Sequence, residues 1–238
     1  MIKIEHTVTA SPEQMEFIIE GMRNPFNSWD KSDSGYECLN KSMGVCAADC
    51  DVNDVNDTCE EGWLEYRVGD NDHKLMQKLA RAGTDHRKYM RMMPVYVRIT
   101  APLYWWKEYD TYKVGTVANS CSTMHKIADK EFTIDDFSCE HLNLSDLSLS
   151  GLHCTIVDLN EYRTDYKKTG DKRYWWMMIQ TLPSSYNQTR NVLLNYEVLA
   201  NIYKSRKKHP LDEWREFCKW IETLDYSELI TVDWKEEE

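Results

Sequence analysis

The hydrophobic period of this chain changes along its length, and that change limits the folds open to it. Between Pro94 and Thr100, Val95, Val97 and Ile99 alternate with Tyr96 and Arg98, the pattern of a half-buried strand, and Pro102 then breaks it. After Pro210, Leu211, Trp214, Phe217, Ile221 and Leu224 follow the spacing of an amphipathic helix. A chain with both periods is neither all-helical nor all-β. An opening strand is expected over Ile2 to Val8, then a helix over Ser11 to Met22 with Ser11 as N-cap and Pro12 in its first turn. Asp72 to Ala82 predicts another helix, with Leu75, Leu79 and Ala82 on one face and Gly83 as its stop. Beyond Pro183 a long helical pattern sets Val192, Tyr196, Leu199 and Tyr203 in one apolar stripe. Glu131 to Asp158 is mixed, and LNLSDLSLSG within it reads as turns. Strands early and helices late predict an α+β fold: an antiparallel or mixed sheet flanked by helices, with a helical C-terminal part.

At 238 residues a single domain, 1–238, is expected, carrying an acidic, cysteine-containing insertion at about 38–61. The net charge of -11 argues against a nucleic-acid partner, since broad phosphate binding needs cations, but a local basic pocket for one small anion is compatible with it. No apolar stretch approaches the roughly 20 residues of a membrane span, and MIKIEHTV lacks signal-peptide architecture, so a soluble cytoplasmic protein is expected. Without an export signal, most of the eight cysteines are expected to be reduced. Cys38, Cys46, Cys50 and Cys59 share the acidic segment with DVNDVND, Asp51 to Asp57. It holds no CxxC pair, and no histidine lies near it before His73. The glycine and terminal glutamate of a helix-loop-helix calcium site are missing too, so no metal is expected. The segment reads as a solvated insertion, with a protein-interaction role as the alternative.

DTYKVGTVANSCSTMHK, Asp110 to Lys126, follows VYVRITAPLYWW, a run built for burial. Asn119, Ser120, Ser122 and Thr123 offer small hydrogen-bonding side chains, and Gly115 permits close backbone approach. A connecting loop and a ligand cradle both fit. Cys121 and His125 have the spacing of a nucleophile and base, without an evident third group. The pairs Trp105, Trp106 and Trp175, Trp176 suit a core or subunit contact better than a stacking platform.

LLNYEVLANIYKSR, Leu193 to Arg206, resembles the helix signature of the flavin-dependent (ThyX) thymidylate synthases, Asn-x-Arg-x-Leu-x-Asn/His-Phe followed after three residues by Arg. Asn195, Leu199, Asn201 and Arg206 occupy matching positions, and Glu213-Trp214-Arg215 is similar to the family's Glu-Ile-Arg. Thr181 to Pro183 resembles the Leu-Pro that introduces the signature. AGTDHRKYMR, Ala82 to Arg91, is similar to the family's Gly-His-x-Ser/Thr-x-x-Glu-His segment through Gly83 and His86. Lys113 to Thr116 resembles a softened Arg-x-x-Ser, and Asn119 with Ser122 keeps an Asn-x-x-Ser spacing. The likeness runs over roughly residues 75 to 222. It departs where Thr111-Tyr112-Lys113 stands for Arg-His-Arg, where Glu197 stands for arginine, and where Met124 stands for arginine. Such arginines engage flavin and nucleotide phosphate in the family, and lysine or glutamate does not replace bidentate arginine.

The resemblance implies FAD as cofactor, with NADPH and methylenetetrahydrofolate as co-substrates, and methylation of a uridine nucleotide, dUMP, at C5 without a protein nucleophile. It also implies a homotetramer with shared active sites. Arg206 is then the expected catalytic residue. Arg206, Glu108, Ser120 and Ser122 are expected at the substrate, and His86, Lys113, Asn119, Asn195 and Asn201 at the cofactor. With Leu193 to Arg206 as one helix, about 100° per residue brings Asn195 and Arg206 within roughly 20° of each other and puts Glu197 with Asn201 on the other border of the stripe. The altered arginine set supports an alternative: a nucleotide-binding protein without redox chemistry, used for sensing or sequestration.

Overall fold

The structure, a computed structural model, describes residues 1–38, 64–143 and 147–232. The insertion beyond Cys38 thus lies outside the described residues. In chain order the elements are β1 (Lys3–Val8), α1 (Pro12–Arg23), β2 (Gly35–Cys38), β3 (Leu64–Arg67), α2 (Asp70–Arg81), β4 (Pro94–Pro102) and α3 (Leu103–Tyr109). There follow β5 (Val117–Ser120), α4 (Thr123–Lys126), α5 (Leu147–Thr169), α6 (Lys172–Thr181), β6 (Asn187–Asn195), α7 (Tyr196–Arg206), α8 (Asp212–Ile221) and α9 (Glu228–Thr231). The fold is α+β, as expected. They form two compact units, one from Met1–Thr7, Tyr96–Leu194 and Ser205–Trp220, the other from the described residues of 8–95, 195–204 and 221–238.

The first unit is built on a four-stranded sheet of order β1-β4-β6-β5. Strand β4 buries Val95, Val97 and Ile99 while Tyr96 and Arg98 stay exposed, the alternation its sequence carries. Strand β6 corrects the reading of Leu193 to Arg206 as one helix. Val192 and Leu194 are buried at strand spacing, the Thr189 hydroxyl meets that of Thr100 at 2.7 Å, and helix starts only at Tyr196. Strand β5 pairs antiparallel with β6, setting Asn119 opposite Asn191 and Ser120 opposite Arg190. Asp110 to Lys126 is therefore an edge strand and a short helix rather than a plain loop.

LSLSG also departs from its reading as turns, because residues 147–151 open the long helix α5. Short polar residues cost little in a first helical turn, and Leu152, Ile156 and Leu159 then bury one face at helical spacing. Helix α6 packs against α5 and adds Met178 to the same apolar cluster, which includes Phe132 and Phe137. Trp105 and Trp106 are core residues. The Trp105 ring lies 4.6 Å from Trp214, 5.2 Å from Tyr109 and 5.6 Å from Phe217, and Trp106 Nε1 donates to the Gln188 carbonyl at 2.9 Å.

In the second unit, Ser11 caps α1 through a reciprocal box with Gln14, and Pro12 opens the helix. Asp72, on α2, is fully buried. Its carboxylate accepts from Arg23 Nε at 2.5 Å, from the Ser32 and Ser34 hydroxyls at 2.6 and 2.7 Å, and from the Asp33 and Ser34 amides at 3.1 Å each. Asp33 returns the favour by accepting from the Asn71 and Asp72 amides at 2.9 and 3.0 Å, which caps α2 from a distant segment. The antiparallel pairing of β2 with β3 sets Tyr36 opposite Tyr66, with ring centroids 5.3 Å apart. Among the described residues no helix is long and apolar enough to cross a membrane.

Candidate functional site

Within the first unit the expected substrate residues Glu108 and Arg206 meet, but they meet each other. Arg206 Nη1 lies 2.8 Å from Glu108 Oε2, and Arg206 Nε donates to the Tyr112 hydroxyl at 2.9 Å. The guanidinium lies 4.8 Å from the Trp214 ring centre and 5.8 Å from that of Tyr112. Trp214 Nε1 donates to Glu108 Oε2 at 2.9 Å, and His209 Nε2 lies 3.6 Å from the same oxygen. Helix α3 supplies the acid, the end of α7 the base and α8 the indole. Arg206 is thus neutralised on one side, stacked on aromatic faces, and still partly open to solvent. Tyr112, noted in the sequence only as a departure from Arg-His-Arg, is the phenol that positions it.

The sheet edge beside this cluster in sequence is open. Lys113, Asn119, Ser120 and Ser122 are all exposed. Ser122 accepts from the His125 amide at 3.1 Å and so caps α4, and Arg190, opposite Ser120, pairs with Asp110 at 2.8 Å and stacks 4.2 Å from the Trp106 ring centre. A cleft of about 470 Å³ runs along the end of this edge, lined among others by Cys121, Ser122, Thr123, Lys130, Asp136 and Gln188. Gln188 Nε2 fixes the strand's end by donating to the Cys121 carbonyl at 3.2 Å and to the Thr123 hydroxyl at 2.9 Å. Among the described residues no group of three or more metal-ligating side chains gathers.

The second unit shows what balances Glu197. That carboxylate is buried, with Arg87 Nε 3.4 Å away and Arg91 donating to its other oxygen. Arg87 also donates to Asn201 Oδ1 at 3.3 Å, so Glu197 and Asn201 do share one face of α7, as their spacing requires. The glutamate that departs from the family's arginine is met by two arginines from the turn after α2. Both lie in AGTDHRKYMR, whose likeness to the family rests on Gly83 and His86 instead. An acid on the border of an apolar stripe signals that a cation is needed, though not which one. His86 is exposed, its amide closing a turn on the Gly83 carbonyl at 3.2 Å. Asn195 is buried and accepts from the Val198 amide at 2.9 Å, the N-cap of α7. Asn195 and Arg206 are therefore not two steps on one helix.

No family model and no curated protein matches the chain. Solved structures do. Flavin-dependent thymidylate synthase ThyX from Helicobacter pylori, complexed with FAD and dUMP, superimposes with a TM-score of 0.60 at 13% identity, over 98% of this chain and 99% of that one. The chain has the fold of the flavin-dependent thymidylate synthases. A second ThyX structure from Helicobacter pylori, with FAD and dUMP, gives 0.60 at 12% identity, covering 97% and 99% of the two chains. The UMP/dUMP methylase PolB from Streptomyces cacaoi, bound with 5-Br dUMP, has the same ThyX-like architecture at a TM-score of 0.55 and 14% identity, covering 94% of this chain and 89% of that one.

Proposed function

We propose that this chain is a cytoplasmic, homotetrameric protein of flavin-dependent thymidylate synthase type, which binds FAD and dUMP and methylates the uracil at C5 with methylenetetrahydrofolate and NADPH as co-substrates. The observation that carries the reading is the ThyX-like fold along nearly the whole chain, shared with proteins complexed with FAD and dUMP. The donor set of the open edge fits such ligands. Asn119, Ser120 and Ser122 present amide and hydroxyl groups suited to ribose hydroxyls and to the imide edge of a uracil or flavin, and Lys113 is an exposed cation suited to phosphate. Arg206, held by Tyr112 and Glu108, keeps donors for a carbonyl or anion. Bound flavin would supply the hydride chemistry, while the chain's residues bind, orient and shield the reacting rings. The exposure of β5 along its length supports the oligomer, since an open edge with Val114 and Val117 facing solvent is one that another copy would cover.

The Arg206–Glu108 pair favours a second reading, in which the same residues bind a nucleotide without turnover: an arginine already neutralised gives less charge stabilisation to a developing anion. The deciding experiment is the visible absorbance of the purified protein before and after adding FAD, followed by NADPH oxidation and thymidylate formation from dUMP. Flavin bound at about one per chain with product formed is the expected result. A colourless protein that ignores FAD and still binds dUMP overturns the enzymatic reading in favour of the second, and a protein that binds neither overturns both.

A further inference from the structure

The second unit contains a pocket of about 380 Å³ that shares no residue with the proposed nucleotide-binding set. Its lining combines three tyrosines, Tyr66, Tyr196 and Tyr226, with two exposed carboxylates, Glu65 and Asp225. The buried thioethers Met15 and Met93 supply apolar surface. Among the described lining residues there is no lysine, arginine or histidine. We propose that this pocket binds an organic cation: an ammonium group carried on a small apolar body.

Each part of the lining answers a need of that ligand. Aromatic faces attract a cation through their quadrupole, most strongly where water is displaced, and carboxylates at the mouth supply net negative charge. Methionine is polarisable and fits irregular apolar bodies. The phenols remain neutral and aromatic at ordinary pH. Burial, then the carboxylate of Glu16, pushes Tyr66 up to about 12, and burial, then Asp225, Glu228 and Glu65, pushes Tyr226 upward. Those same carboxylates make the site hostile to anions. Glu228 is already met by His73 at 2.6 Å, which leaves Glu65 and Asp225 as the acids of the lining.

Backbone geometry adds an independent sign. Tyr226 has φ of 54°, a left-handed conformation that a bulky side chain adopts only when its surroundings hold it there, and such strain gathers at ligand-binding positions. Tyr196, whose hydroxyl donates to the Asp225 carbonyl, ties the adjacent residue in place. Tyr226 therefore belongs to the pocket lining on a fixed backbone, its ring 5.8 Å from that of His73.

The test uses the full chain and three probes: choline, its neutral isostere 3,3-dimethylbutan-1-ol, and Nα-acetyllysine methylamide, each titrated while its own proton resonances are followed. Choline or the lysine amide is expected to bind saturably and about tenfold more tightly than the neutral isostere. Tighter binding of choline assigns a small-molecule quaternary ammonium, and tighter binding of the lysine amide assigns a lysine side chain of another polypeptide. A Glu65→Gln, Asp225→Asn double variant, altered only at exposed positions, is expected to lose that discrimination, and Tyr66→Leu to weaken the cation while sparing the isostere. An isostere that binds as tightly as the better of the two cations would reduce the feature to an apolar cavity and overturn the proposal. So would no saturable binding, or cation binding that survives both variants unchanged.

Discussion

Replacing Asp72 with alanine removes the carboxylate on which Arg23 and the segment Ser32 to Ser34 converge, across sequence separations of 49 and 38–40 residues. Both members of the ion pair are buried, with side-chain exposures of 5% for Arg23 and 0% for Asp72. Removing one partner of such a pair strands the other, which costs about 3–5 kcal/mol. Arg23 keeps the Ser28 carbonyl and hydroxyl at 3.2 and 3.3 Å, which lowers the figure. Two hydroxyls and two amides lose their acceptor at about 1 kcal/mol each where water cannot reach them, which raises it. The expected loss is about 4 kcal/mol, read from urea unfolding followed by circular dichroism, with a fall in Tm of about 8–16 °C. Adding Arg23→Met to Asp72→Ala should recover about 1–2 kcal/mol, because no charge is then left stranded. A loss below about 1 kcal/mol for Asp72→Ala, or no recovery in the double variant, would refute the reasoning.

Acid provides a second reading of the same group. Burial pushes the Asp72 carboxyl up, but hydrogen bonds from Ser32, Ser34 and Arg23 together outweigh it and hold the group below its ordinary 3.8. A depressed folded pKa means that the stabilisation is complete above about pH 4 and is lost as pH falls through the folded value. The alanine variant should therefore lack this part of the protein's acid unfolding.

Further substitutions test the clusters around the site. Glu197→Arg would gather three guanidiniums and is expected to cost about 3–5 kcal/mol in urea unfolding; a neutral outcome would mean that Arg87 and Arg91 do not depend on that carboxylate. Glu108→Gln keeps an acceptor for Trp214 but removes the charge beside Arg206, so dUMP affinity by calorimetry should rise about threefold to fivefold; an unchanged affinity would remove Arg206 from the binding set. Gly69→Ala would put a methyl 2.3 Å from the Asp33 carbonyl, with an expected loss of about 1–3 kcal/mol measured by thermal unfolding, and full stability would show that this segment can retreat.

Sequence pattern revealed those elements whose burial follows one period. Helix α1 was legible in Ser11 and Pro12, α2 in its leucines and Gly83, β4 in strict alternation, and α8 in Trp214, Phe217 and Ile221. Strand β6 was hidden because Gln188, Thr189, Arg190 and Asn191 are polar and find partners on neighbouring elements: the α4 segment, Thr100, Asp110 and Arg98 respectively. Its apolar end then runs straight into α7, so two elements share one apparent stripe. The site shows the same limit. Arg206, Glu108 and Ser122 were recognisable as residue types, whereas the pairing of Arg206 with Glu108, or of Arg87 and Arg91 with Glu197, depends on segments about a hundred residues apart coming together. Nothing local in the sequence specifies such a pairing.

The Glu197 cluster also constrains how this sequence can change. An arginine introduced at 197 alone would face two existing arginines, and loss of either arginine alone would leave the buried acid with a single guanidinium. The three positions are therefore bound to one another as a set, and a route between opposite charge arrangements must pass through a poorly folding intermediate or change several residues together. Substitutions tied in this way accumulate in blocks. A comparison that scores each position alone registers every block as several unrelated mismatches, while the backbone that houses them stays the same.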